Sequence, residues 1–220
     1  MLKPLRWQLE HIGLAALALA IIGVWGAWIF NAPVALTQNA FYLAEWSTFL
    51  LDVRYGGLRA APEILRAGIA LAALGGAVAL AIIPNFWRRW AARLALIPIG
   101  LNLLPPYPDV FSLWWSPSYG GRFMAASILW LGLAACLWLD RRSVKLRRWV
   151  IVGCVLASMG SAGWGYGQLI RPFEAHYALT LRPGWGLIVF FAGLLISAGV
   201  NLRLQWSRRT DRENQKGPVA

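Results

Sequence analysis

The stretch Ala67–Trp87, AGIALAALGGAVALAIIPNFW, contains 21 residues and no charged side chain. A helix needs about 20 mainly apolar residues to cross a bilayer, because each residue rises about 1.5 Å through a hydrocarbon core about 30 Å thick. The stretch therefore predicts a transmembrane helix. Five more uncharged stretches lie on either side of it: Ile12–Phe30, Leu94–Pro108, Phe123–Leu139, Trp149–Ile170 and Pro183–Leu202.

The third of these six stretches, Leu94–Pro108, is the shortest. It would measure about 22 Å as a full helix, and it contains Pro98, Gly100 and Asn102. We expect it to tilt, to break or to sit against a thin bilayer. Together the six stretches predict an all-α integral membrane protein, a six-helix transmembrane bundle that forms one domain over residues 1–202. A basic tail follows over residues 203–220.

The distribution of charge predicts the orientation of this bundle. The 220-residue chain has a net charge of +12. If the loops after the first, third and fifth stretches lie outside, 15 Lys and Arg residues lie inside and 6 outside. This asymmetry predicts that both termini are cytoplasmic and that the protein resides in the cell (inner) membrane. Topology and contact with anionic lipid head groups account for the basic charge, so we expect membrane lipids as partners and no nucleic acid.

The first outer loop, residues 31–66, contains a helical pattern of its own. Pro33 could open a helix and Gly56–Gly57 could end it. Between them, aromatic and apolar side chains recur at helical spacing: Tyr42, Trp46, Phe49 and Val53. The pattern predicts an amphipathic helix on the outer surface, which either caps the bundle or serves as a lid or docking surface for a partner.

None of the six stretches has an ionisable side chain in its middle. Proton relays, ion-coupled sites and voltage sensors place such groups within the membrane, so their absence disfavours an ion-driven transporter. The chain also lacks the Gly-x-Ser-x-Gly, His-Glu-x-x-His and phosphate-loop motifs that carry hydrolytic or nucleotide chemistry. We therefore predict no catalytic residue and favour a protein that is not an enzyme.

Cofactor ligands are scarce. His11 and His176 are the two histidines, and they fall on opposite sides of the predicted membrane, so they cannot ligate the same haem iron. Each could hold a separate haem or chlorin, although ordinary interfacial histidines are the simpler interpretation. Cys136 and Cys154 both lie within predicted helices, where a cysteine behaves as a small hydrophobe. We predict no metal site and no cofactor.

The three outer loops carry polar residues that could converge, since all three cover the same end of the bundle. They are Asp52, Arg54, Asp109, Arg122, Arg171, Glu174 and His176. Carboxylates beside a histidine can perform acid–base chemistry. No spacing supports a particular reaction, so salt bridges that anchor the loops are the favoured interpretation.

Small residues at helical spacing mark candidate packing faces, because they let helix backbones approach closely in a membrane. The candidates are Gly68, Ala72, Gly76, Gly163, Gly165, Gly167, Gly193 and Ser197. Such faces serve internal packing and partner helices equally well.

Three functional hypotheses follow. The first is a non-catalytic, multi-pass subunit of a larger membrane complex for transport or electron transfer, and its partners are protein subunits. The second is a component that binds or transports an apolar or lipid-like small molecule, held between the outer loops and the fifth helix. The third is an outward-facing membrane enzyme acting on lipid-linked substrates.

Overall fold

A computed structural model of the chain describes residues 2–31, 36–105, 109–112 and 119–215. Five of its helices are long and apolar enough to cross a membrane. They are α1 (Leu2–Trp25), α4 (Ala61–Ala79), α8 (Gly120–Leu139), α9 (Val144–Tyr177) and α10 (Trp185–Gln215). These five coincide with the first, second, fourth, fifth and sixth apolar stretches, which supports a membrane location for the protein.

The third apolar stretch does not form one spanning helix. Leu94 ends the short helix α5 (Phe86–Leu94), and α6 covers only Ile97–Leu103. Seven residues rise about 10 Å, well short of the hydrocarbon core. Pro98 is tolerated because it stands in the first turn of α6, whereas Leu104 is already extended and Pro105 follows it. The predicted transmembrane helix over Leu94–Pro108 is therefore replaced by the short helix α6. Residues 106–108 lie outside the described residues, and the one-turn helix α7 (Asp109–Ser112) follows them.

The bundle has two ends, and we name each end after the residues or elements that it contains. At the basic end, Arg148 of α9 contacts Glu10 of α1 and the Leu204 carbonyl of α10. Arg93 at the end of α5 contacts Asp140 at the same end, just after α8. The terminal parts of α1 and α10 therefore lie on one side of the bundle. α10 continues as a helix to Gln215, so the predicted tail begins as an extension of this helix.

The opposite end carries a small three-stranded sheet that the all-α prediction did not include, and we call it the sheet end. Its strands β1 (Ile29–Asn31), β2 (Leu36–Gln38) and β3 (Arg182–Pro183) are ordered β2-β1-β3 and pair antiparallel. Ile29 lies opposite Gln38 on one side and Pro183 on the other. Because β1 follows α1 and β3 precedes α10, the sheet ties together the sheet-end termini of two neighbouring helices.

The predicted amphipathic helix of the first outer loop is present in pieces. It consists of α2 (Ala40–Trp46), a 3-10 turn (Ser47–Phe49) and α3 (Leu51–Arg54), and α2 packs on α4. Leu43, Leu50 and Val53 are buried, whereas the predicted face members Tyr42, Trp46 and Phe49 are exposed. α2 begins at the Asn39 cap, whose side chain accepts from the Tyr42 amide at 2.9 Å. Pro33, the expected start, lies outside the described residues.

Close helix contacts hold the bundle around α4. A Cβ placed on Gly68 would lie 2.7 Å from the backbone nitrogen of Ala162 on α9, and the Ser158 hydroxyl donates to the Gly68 carbonyl at 2.7 Å. Gly193 of α10 sits against the Ala16 carbonyl of α1 in the same way. Gly76, Gly165, Ala72 and Ser197 also lie at helix contacts, whereas Gly167 faces open space and Gly163 has ordinary clearance.

α6 is positioned by one such contact. Gly100 lies directly against the indole nitrogen of Trp130, in the middle of α8. A side chain at position 100 would displace the indole, so glycine at this position allows the short helix to lean on α8.

Candidate functional site

Buried arginines are the main polar feature of the two ends. Arg66, Arg93, Arg122 and Arg148 are each at most 4% exposed. A buried guanidinium is costly unless it is paired and hydrogen-bonded. Each of the four has a carboxylate partner contributed by another element or by the preceding helical turn. The arrangement therefore joins helices at both ends of the bundle.

At the basic end, Arg93 and Asp140 form a bidentate pair. The two terminal nitrogens Nη1 and Nη2 of Arg93 donate to Oδ2 and Oδ1 of Asp140, each at 2.7 Å. The Nε of Arg93 donates to the Ala77 carbonyl at the end of α4 at 3.0 Å. One arginine thus ties α5, α4 and the end of α8. Arg89 adds a second cation 3.3 Å from Asp140.

The charge of Asp140 is stabilised by these partners. Burial acts to raise its pKa, but the hydrogen bonds from Arg93 and the positive charges of Arg93 and Arg89 outweigh burial, and the pKa is lowered. Asp140 is therefore an ionised structural anchor. A proton donor or acceptor for catalysis needs a pKa closer to neutrality.

A second tie at the basic end borders an open cavity of about 480 Å³. Arg148 of α9 pairs with Glu10 of α1 and donates to the Leu204 carbonyl of α10 at 3.1 Å. The cavity lies beside this tie, between α1, α9, α10 and the end of α4. Its polar lining consists of Glu10, Arg147, Arg148 and Asn201, and most of the remainder is apolar: Trp7, Leu14, Val78, Ile82, Val144, Ile151, Val200 and Leu204 among them.

At the sheet end, two arginines share one carboxylate. Glu45 of α2 pairs with Arg122 of α8 and, at 3.3 Å, with Arg66 of α4. Arg66 also donates to Glu63 one turn earlier at 2.5 Å and to the Ala44 carbonyl at 2.9 Å. The group fastens the surface helix α2 to two membrane helices, so it is an anchor for the first outer loop.

Tyr119 extends this group. Its hydroxyl donates to Oδ2 of Asp109 at 2.8 Å, and the Arg122 guanidinium lies 5.6 Å from its ring centroid. The hydrogen bond to Asp109 is the main reason that the pKa of Tyr119 is raised, because the acceptor carboxylate holds the proton on the phenol. Asp109 and Arg122 are therefore the two members of the predicted outer set that the structure brings into one group.

The other five members of that set lie apart from this group. Asp52, Arg54, Arg171 and His176 are exposed. Glu174 accepts from the Leu181 amide at 2.9 Å and so closes its own loop. Among the described residues, none of these five makes a hydrogen bond or an ion pair with the Glu45 group.

Sequence reasoning missed Glu45, Glu63, Arg66 and Tyr119. It assigned Arg66 to a loop because the apolar stretch starts at Ala67, whereas α4 begins at Ala61. The spacing of Glu63 and Arg66, three residues apart on one helix, was a usable signal. The sequence gives no such signal for the contact between Arg66 and Glu45, because that contact depends on how the first loop folds back onto α4.

The two candidate cofactor ligands stand at opposite ends. The Nδ1 of His11 lies 2.8 Å from the Trp7 carbonyl, and the His11 ring packs against the Trp7 ring at a tilt of 43° at the basic end. His176 packs edge-on against Tyr177, close to the sheet end. In the part of the chain that the structure describes, no three His, Cys, Asp or Glu residues come together in a way that could hold a metal ion. Both cysteines there are buried free thiols.

Comparison of the chain with protein-family models, with curated proteins and with solved structures finds no match in any of the three.

Proposed function

We propose that this protein is a non-catalytic, multi-pass subunit of a larger membrane complex for transport or electron transfer. In this proposal the basic end and both termini lie in the cytoplasm, the sheet end lies outside, and the membrane is the cell (inner) membrane. The positive-inside rule supports the orientation, because exposed arginines of the loop between α8 and α9 lie at the basic end: Arg141 and Arg142.

The observation that carries the proposal is the aromatic ridge of the first outer loop, formed by Tyr42, Trp46 and Phe49. These side chains are 59%, 50% and 61% exposed, although the loop that bears them is pinned to the bundle by Glu45. Contiguous exposed aromatic surface marks interaction sites. A rigidly anchored ridge presents that surface in a fixed position, as a subunit interface requires.

The use of the ionisable residues also supports a structural role. The four buried arginines are committed to interhelical or loop-anchoring contacts. The enzyme hypothesis would draw on acid–base residues of the predicted outer set. Of these, Asp52 and His176 are exposed and Glu174 closes its own loop. We therefore do not propose an enzyme.

Purification of the chain from its native membranes tests the proposal. The chain is tagged, expressed at its natural level and extracted in mild detergent. Native electrophoresis and mass spectrometry should then show a stoichiometric protein partner. Replacing Tyr42, Trp46 and Phe49 together by Ser should release that partner and leave the thermal stability of the bundle unchanged.

Trp87→Ser is the matched control, because Trp87 is 77% exposed but lies on α5 at the basic end. This variant should retain the partner. A monodisperse lone chain from native membranes, or equal loss of the partner in the control variant, would contradict the proposal.

A further inference from the structure

We propose that the cavity at the basic end binds one anionic phospholipid, with the phosphate at Arg147 and Arg148 and the start of one acyl chain between α1, α4, α9 and α10. This site is separate from the aromatic ridge and goes beyond the proposed subunit function. It would stand even if the protein had no protein partner.

The charge of the lining favours an anion. Arg147 and Arg148 face one carboxylate, that of Glu10, in the cavity wall. Arg148 is committed to Glu10 and to the Leu204 carbonyl. Arg147 is half-buried and has no hydrogen bond or ion pair with a described side chain, although its charge acts on Asp140. A phosphodiester would give Arg147 a bidentate partner, which is the geometry that guanidinium groups favour.

The helix dipoles do not determine whether the cavity prefers a negatively or a positively charged ligand. The N-terminus of α9 at Val144 brings a partial positive charge to the cavity, and the C-terminus of α4 near Ala79 brings a partial negative charge. These contributions oppose each other. The side chains therefore set the preference, and further exposed cations at the basic end attract anionic lipid to this side of the bundle: Arg88, Arg141, Arg142, Lys145 and Arg203.

The shape of the cavity favours a lipid over a soluble anion. Along α9 its lining runs from Val144 to Ile151, a depth of about 10 Å at 1.5 Å per residue. The deeper wall is apolar, formed by Leu14, Val78, Ile151 and Val200. Burial of a methylene group there contributes about 0.8 kcal/mol. A volume of about 480 Å³ accommodates a phosphate and the first part of one chain, and the rest of the lipid remains in the bilayer.

Native mass spectrometry of the detergent-solubilised full chain tests this site. The chain is titrated with phosphatidylglycerol, with phosphatidylcholine of the same chain length, and with inorganic phosphate. We expect a single phosphatidylglycerol to bind at least five-fold more tightly than phosphatidylcholine, and inorganic phosphate to bind negligibly. The last arm distinguishes a lipid head group from a free phosphate.

Two variants locate the binding. Arg147→Gln should weaken phosphatidylglycerol binding at least five-fold, whereas Arg141→Gln removes the same charge from an exposed position outside the cavity and should change it less than two-fold. Ala79→Leu fills the cavity and should weaken both lipids. Melting temperatures confirm that each variant is folded.

Three results would overturn the proposal. Equal losses in Arg147→Gln and Arg141→Gln would indicate diffuse attraction to a basic surface. Equal affinity for the two lipids would show that the arginines do not select the head group. Saturable binding of inorganic phosphate as tight as that of phosphatidylglycerol would assign the cavity to a soluble anion.

Discussion

Arg93 and Asp140 meet through two parallel hydrogen bonds of 2.7 Å, although they stand 47 positions apart in the chain. Arg93 is 1% exposed and also holds the Ala77 carbonyl. This pair fixes where α5 ends relative to α4 and α8. It is therefore one of the two ties that assemble the basic end, beside the contact of Arg148 with Glu10 and Leu204.

Removing the anion of this pair should destabilise the bundle. Asp140→Asn leaves the buried guanidinium of Arg93 without its charged partner, and such a loss costs about 3 kcal/mol. Thermal unfolding in detergent measures the effect. Asp52→Asn is the control, since Asp52 is exposed and should change stability by less than about 0.5 kcal/mol. Equal melting temperatures for the two variants would show that the pair contributes nothing.

Acidification should weaken the same contact. The folded-state pKa of Asp140 is lowered, so its contribution to stability is complete above the ordinary aspartate value of 3.8 and is lost as the pH falls below that value. Unfolding of the wild type should therefore become easier between about pH 4 and the lowered pKa. Asp140→Asn should show a smaller loss over the same range, and an identical acid dependence in both proteins would refute the assignment.

The shared carboxylate at the sheet end makes a separate prediction. Glu45→Gln removes the anion that joins Arg66 to Arg122, and the loss of a charged hydrogen-bond partner costs about 1–3 kcal/mol. Because Glu45 anchors α2, proteolysis or hydrogen exchange should detect early opening of residues 40–54, ahead of the membrane helices. Tyr119→Phe should have the smaller effect, about 1 kcal/mol, since Arg122 keeps Glu45. Uniform opening of the whole bundle in Glu45→Gln would argue against a local anchor.

Helix packing can be tested within one helix. Gly193→Ala should push α10 away from the Ala16 carbonyl of α1 and lower the melting temperature. Gly199→Ala on the same helix meets open space, so it should be neutral or stabilising by up to about 1 kcal/mol from helix propensity. If both substitutions change the melting temperature equally, the close approach of α1 and α10 at Gly193 is contradicted.

The orientation of the bundle can be tested by accessibility labelling. Cys136 and Cys154 are replaced by Ala, and single cysteines are introduced at Arg141 or Asp52, both exposed and at opposite ends. In intact cells a membrane-impermeant maleimide should label position 52 and spare position 141. The reverse pattern would invert the topology and place the lipid cavity in the outer leaflet.

The sequence by itself predicted six apolar stretches and the asymmetry of charge between their loops, and five of these stretches form helices long and apolar enough to cross a membrane. Both are local properties: an uncharged run of sufficient length has to find an apolar environment, and arginines flanking such runs stay at the surface. The expectation that Leu94–Pro108 would tilt or break rested on Pro98 and Gly100, which are also local features of the sequence.

Only the tertiary structure decided which charges meet. Glu45 reaches Arg122 across 77 residues, and Arg148 reaches Glu10 across 138, so no periodicity in the chain records either partnership. The sheet that links β1 to β3 and the cavity beside Arg147 likewise arise between elements that are distant in sequence. Contacts of this kind depend on how packed helices align their ends, and that alignment is set by close approaches such as Gly193 on Ala16. The sequence marked Gly193 as a packing residue, but it did not identify Ala16 as its partner.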